Sequence, residues 1–122
     1  MASKVFKLST AGTTNLTKIA DQGGTVTGMA AVCTAAYAIF VKLYWYIPTA
    51  ANPTPTVGTT VPDITFLIPT LGTTTGGLNP EIPHQGVSRS GQLWMAVTKL
   101  PADSDATAVV AGDGLISLFY EG

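Results

Sequence analysis

The sequence predicts an all-β protein: one β-sandwich, jelly-roll-like, of seven or eight short and mostly antiparallel strands, spanning residues 1–122 as a single domain. Three observations predict it. Several segments of five to ten residues alternate apolar with other residues at a period of two. Turn formers, among them 13 glycines and 8 prolines, recur between those segments. No stretch carries a sustained 3.6-residue apolar period or an internal repeat.

In chain order, Lys4-Val5-Phe6-Lys7-Leu8 alternates and makes a first strand, after which Gly12 and its hydroxyl neighbours turn the chain. Asn15 to Asp21 is only seven residues long and includes Thr17, a poor basis for a stable helix, and reads as a second strand. Gln22-Gly23-Gly24 turns it into a third, Thr25 to Cys33, with Gly28 as a bulge candidate. After Thr34-Ala35-Ala36 comes the strand around which the rest is organised, Tyr37 to Tyr46. Ile39, Val41, Leu43 and Trp45 share one wholly apolar face; Phe40, Lys42, Tyr44 and Tyr46 share the other. Pro48, Pro53 and Pro55 hold the following connection extended. Asp63 to Ile68 is a strand with Ile64, Phe66 and Ile68 on one face, and Pro69 ends it. Gly72 to Pro80 has no core-forming pattern and reads as a surface loop. Glu81 to Val87 contains Pro83 and is an edge strand at best. Gly91 to Lys99 is a clear strand facing Leu93, Met95 and Val97 inward. Pro101 to Asp105 is a turn-rich loop, and Asp113-Gly114 reads as a hairpin turn before the last strand, Leu115 to Tyr120.

Composition narrows the function. Charged residues make up 11% of the chain, against about 25% in ordinary globular proteins, and the net charge is −1. The six basic residues are scattered, which disfavours both phosphate-mediated nucleic-acid binding and a basic membrane-surface patch. The start of the chain has no apolar core long enough for a signal peptide, and Gly28 to Ile47 reads as two strands rather than a membrane span. The lone cysteine, Cys33, sits in an apolar run with no basic neighbour. It reads as a small buried hydrophobe, not a reactive thiol, in a chain matured in a reducing cytoplasm.

Catalytic constellations are scarce. His84 is the single histidine. Gly86-Val87-Ser88-Arg89-Ser90 approaches a nucleophile elbow but ends in Ser where Gly is required. Asp103-Ser104-Asp105 begins like a calcium loop yet lacks the glycine and closing glutamate, and reads as Asx-type turns. Glu81, Asp103 and Asp113 offer only the carboxylate pairs that any set of acids offers. Gly72 to Gly77 lacks the Lys-Ser/Thr ending of a phosphate loop. The expectation is a non-enzyme with no cofactor and no metal. The aromatic face Phe40, Tyr44 and Tyr46 reads as a subunit contact ahead of a carbohydrate-stacking platform.

The segments Val41-Lys42-Leu43-Tyr44, Pro55-Thr56-Val57-Gly58-Thr59-Thr60-Val61-Pro62 and Leu67-Ile68-Pro69 resemble small virion proteins of tailed bacteriophages. So do Gly86-Val87, Ala102-Asp103-Ser104-Asp105-Ala106-Thr107-Ala108-Val109 and Leu115-Ile116-Ser117-Leu118-Phe119-Tyr120. The similarity covers about residues 37 to 122 and consists of turn and strand-end signatures. It implies a head decoration (cement) protein on the outer capsid surface, made in the host cytoplasm, with the major capsid protein as partner. A tail, spike or fibre-associated binding module is the second implication. It also implies a homotrimer, with Phe40, Tyr44 and Tyr46 as contacts, and with Pro53 and Pro55, or Leu78 in the later loop, reaching toward the shell. A compact monomer of this size exposes roughly 6,200 Å². So large a surface with so few charges suits a protein that assembles.

Overall fold

A computed structural model describes residues 4–70, 76–83 and 85–122. They form nine strands: β1 (Lys4–Ser9), β2 (Thr17–Ala20), β3 (Thr25–Cys33), β4 (Ile39–Tyr46), β5 (Ile64–Ile68), β6 (Gly76–Leu78), β7 (Val87–Ser88), β8 (Gln92–Thr98) and β9 (Gly114–Glu121). All the pairings are antiparallel, and the strands fall into two sheets ordered β1-β9-β3-β6 and β2-β8-β4-β5, with β7 beside the start of β3.

That order has a simple origin. β1 pairs with β9, β2 with β8, β3 with β6, and β4 with β5, so the chain is a long two-armed ribbon closed at residues 47–63. Wrapping the ribbon adds the pairs β3–β9 and β4–β8 and divides it into two stacked sheets. With the two-residue β7 set aside, this is the strand order of a jelly roll, the fold class the alternation predicts.

The core lies between the sheets. Ile39, Val41, Leu43 and Trp45 of β4 are buried with Leu93, Met95 and Val97 of β8; Met29, Ala31 and Cys33 of β3 and Ile116 and Leu118 of β9 oppose them. The odd-numbered residues of β4 thus fill the core face, as their pattern requires. Val26 also reaches the core although it lies three residues before Met29. The register explains this: Val26 faces Tyr120 and Gly28 faces Phe119, so Thr27 is an extra residue that resets the alternation. The bulge lies one residue before the glycine that signals it. Cys33 is fully buried, its Sγ 3.2 Å from the carbonyl of Tyr37.

Two sequence expectations need correction. The segment read as featureless surface loop contains β6, which hydrogen-bonds to β3 through Gly76, Gly77 and Leu78. Its glycines are there for clearance: a Cβ on Gly76 would lie 2.2 Å from the Pro69 carbonyl oxygen, and one on Gly77 2.8 Å from that of Ala31. Such a strand is recruited by its neighbour and carries no side-chain pattern. Asp113-Gly114 is not a hairpin turn either. The turn runs from Val110 to Asp113, closed by the Asp113 N–H on the Val110 carbonyl with Gly112 at φ 80°, and delivers the chain into β9, whose partners are the distant β1 and β3. Residues 71–75 and His84 lie outside the described residues. Among those described, no helix is long and apolar enough to cross a membrane.

Candidate interaction surfaces

The two outer faces of the sandwich differ, and the difference follows from what the loops cover. On the β2-β8-β4-β5 sheet the face carrying Phe40, Lys42, Tyr44 and Tyr46 lies beneath the chain's own connections. The Lys42 ammonium donates to the carbonyls of Ala102 at 2.7 Å and Asp105 at 3.2 Å. The Tyr46 hydroxyl donates to the Asn52 carbonyl at 2.8 Å. The two loops also meet each other, for a Cβ on Gly58 would sit 3.1 Å from that of Ala106. Lys42 is fully buried and Tyr44 is 1% exposed.

This changes the reading of the candidate contact residues. Tyr44 presents no surface to a partner, because it is buried on the face that the chain's own loops cover. Phe40 and Tyr46 are half-buried at the margins of the same cover. Pro55 is buried, Pro53 is exposed at the loop surface, and Leu78 is half-buried against the core from β6. The chain exposes 6239 Å², the area expected of a compact monomer of its mass, so total surface gives no separate argument for assembly.

Electrostatics under the cover are dominated by burial. Desolvation holds the Lys42 ammonium below its ordinary value, partly offset by the carboxylates of Asp105 and Asp103. Burial, reinforced by Asp103, pushes the Tyr44 hydroxyl up to about 12. That hydroxyl has no hydrogen-bond partner among the described residues. Asp105 is also partly desolvated, which raises it, but hydrogen bonds from Thr107 Oγ1 (2.6 Å) and the Leu100 N–H (3.1 Å) outweigh this and hold it low. Those bonds make the Asp103-Ser104-Asp105 segment a self-closed turn. Among the described residues no group of three or more His, Cys, Asp or Glu side chains is placed to hold a metal ion.

The outer face of the β1-β9-β3-β6 sheet is bare. The register lays it out in rows: Val5, Phe119 and Gly28; Lys7, Ser117 and Ala30; Ser9, Leu115, Val32 and Gly77. Val5 is 58% exposed, and Val32, Leu115 and Phe119 are each between 37% and 39% exposed. In these rows Lys7 is the single charge. The Phe119 ring leans over Gly28, where a Cβ would be 3.3 Å from its Cδ2. Four strands about 4.8 Å apart and five residues of about 3.4 Å rise give it a projection of roughly 330 Å². A stable two-body interface needs about 800 Å² per partner, so this face suits a protein that also touches a second neighbour. A sequence signal for it existed: β9 is apolar at Leu115 and Phe119 as well as at Ile116 and Leu118, which one buried face cannot account for.

A cleft of about 440 Å³ opens at one edge of the sandwich, between β2 and the β1–β9 pair. Ile19, Ala20 and Tyr120 form its floor, and Lys4, Asp21 and Gln22 its rim. Asp21 is held low by the hydrogen bond and charge of Lys18, 2.7 Å away, and the Lys4 ammonium donates to the Gly122 oxygen at 2.6 Å. Ser88 of β7 is exposed, in register with Thr25.

No protein-family model, curated protein or solved structure matches the chain.

Proposed function

We propose that this chain is a structural, non-enzymatic virion protein: a capsid decoration protein that adds to the outer surface of a tailed bacteriophage head and bridges neighbouring major-capsid subunits. The observation that carries the reading is the exposed apolar face of Val5, Val32, Leu115 and Phe119, on which Lys7 and Glu121 are the charges among the described residues. A largely apolar sheet face of this size is suited to lie against a regular protein surface and to be reinforced by a second contact. The jelly-roll strand order and the similarity of residues 37 to 122 to small virion proteins support the same class. In this reading the protein assembles as a homotrimer, and the sheet face replaces Tyr44 as the contact.

The test is co-sedimentation with heads stripped of their accessory proteins, together with light scattering of the free chain. The native chain should bind heads saturably and scatter as a trimer. Phe119→Lys should abolish head binding while leaving the thermal midpoint within about 3 °C, because Phe119 is already part exposed. Absence of binding by the native chain to heads would overturn the proposal, and binding to isolated tails would replace it with the tail-module reading.

A further inference from the structure

Segment 99–109 is a loop held by bonds of its own and by bonds from β4. Its apex, 101–104, is exposed and holds itself together: the Asp105 N–H donates to the Ala102 carbonyl (3.0 Å), the Lys99 N–H to the Thr107 carbonyl (3.1 Å), and the Leu100 N–H to the Asp105 carboxylate. At its base the Thr98 hydroxyl of β8 donates to the Leu100 carbonyl at 2.9 Å, and over β4 the turn is tied down by a cation. The Lys42 ammonium rises from the outer face of β4 and takes two of the turn's carbonyls, Ala102 and Asp105. Around it stand the carboxylates of Asp103 and Asp105 from the turn and the phenol of Tyr44 from its own strand, while the adjacent strands contribute Thr65 and Ala96 at the same register level. The nearest buried apolar anchor of the segment is Val109, at its far end.

We propose that residues 99–109 are a latch, pinned by Lys42, that opens over β4 as a unit without unfolding the sandwich and in doing so exposes the Lys42 ammonium. Two features support independent opening. The turn's internal bonds survive its release. And release returns a buried ammonium to water, which offsets part of the lost bonding. The β4 and β8 backbones beneath are paired on both sides and do not depend on the latch.

Native-state hydrogen exchange on the native chain and on Lys42→Met tests this. In the native chain the Lys99 and Asp105 amides should exchange through an opening that is insensitive to low denaturant, while β4 amides exchange only through global unfolding. In Lys42→Met the side chain keeps its length but both bonds from the ammonium to the latch are lost. Latch amides should then exchange at least about tenfold faster, with β4 and β8 amides unchanged. Latch amides of the native chain that exchange only with global unfolding would overturn the proposal, even if the Met variant fails to fold. Equal acceleration of latch and β4 amides in the variant would overturn it too.

Discussion

Replacing Tyr44 by Phe should stabilise this protein. The ring is 1% exposed and its hydroxyl has no partner among the described residues, so folding strips that group of water and returns nothing. Such a loss costs about 1–3 kcal/mol, whereas Phe keeps the ring and leaves a gap of one oxygen. A net gain of about 1 kcal/mol at neutral pH follows, which for a domain of this length raises the thermal midpoint by about 3–6 °C. The alkaline limb gives a second, sharper reading. Unfolded, the phenol releases its proton near 10; folded, it is pushed up to about 12, first by burial and then by Asp103. Between these values the native state binds more protons than the unfolded state, so stability is intact below pH 10 and falls as pH rises toward 12. The loss is roughly 2–3 kcal/mol and is absent from the Phe variant. Lys42 acts with the opposite sign, since burial holds its folded value below 10.5 and stability from that group is recovered as pH rises. It is common to both proteins and cancels in their difference. Urea midpoints at pH 7, 9 and 11 would measure the effect. A Phe variant that is less stable at pH 7, and that loses stability above pH 10 in step with the native chain, would refute the reasoning.

Two further substitutions probe the fold itself. Leu43→Ala removes a fully buried side chain flanked in register by Met95 and Ile64, and should cost about 2–5 kcal/mol in denaturant unfolding; an unchanged midpoint would remove β4 from the centre of the core. Gly76→Ala would force a Cβ to within 2.2 Å of the Pro69 carbonyl oxygen, and should cost more than about 2 kcal/mol despite adding a single methyl; measured tolerance would mean that β6 does not lie against that carbonyl.

How much of this was legible in the sequence depends on where the information resides. β4 and β8 announce themselves because burial on one face imposes a two-residue period, and the structure places Ile39, Val41, Leu43, Trp45, Leu93, Met95 and Val97 on the side the period assigns. Gly28 flagged the bulge because a strand that buries both Val26 and Met29 must break its alternation nearby. β6 was illegible for the converse reason: Gly-Gly-Leu carries no period, and its identity comes from the groove it enters. The fate of the aromatic face was also beyond local reading. Tyr44 and Lys42 look like an outer face from their own strand, and only the return of a loop some 60 residues later, with Ala102 and Asp105, decides that Lys42 is covered. The apolar second face of β9 was visible, but its meaning waited on knowing that β1, β9 and β3 lie side by side.

The pairing of β9 with both β1 and β3 has a consequence for biosynthesis. Lys4 is in register with Tyr120, and Thr25 with Glu121, so one of the two sheets lacks the strand that joins β1 to β3 until the ribosome has made residue 121. Through translation β1 and β3 therefore wait with unpaired edges, separated by the gap that β9 will fill. Pairings of such long sequence separation place folding in the slow range, milliseconds to seconds, and any nascent chain cut short before residue 114 lacks the centre of its first sheet. Truncated products should accordingly be insoluble or degraded rather than partly active, and the full-length chain should gain its structure in a single late step.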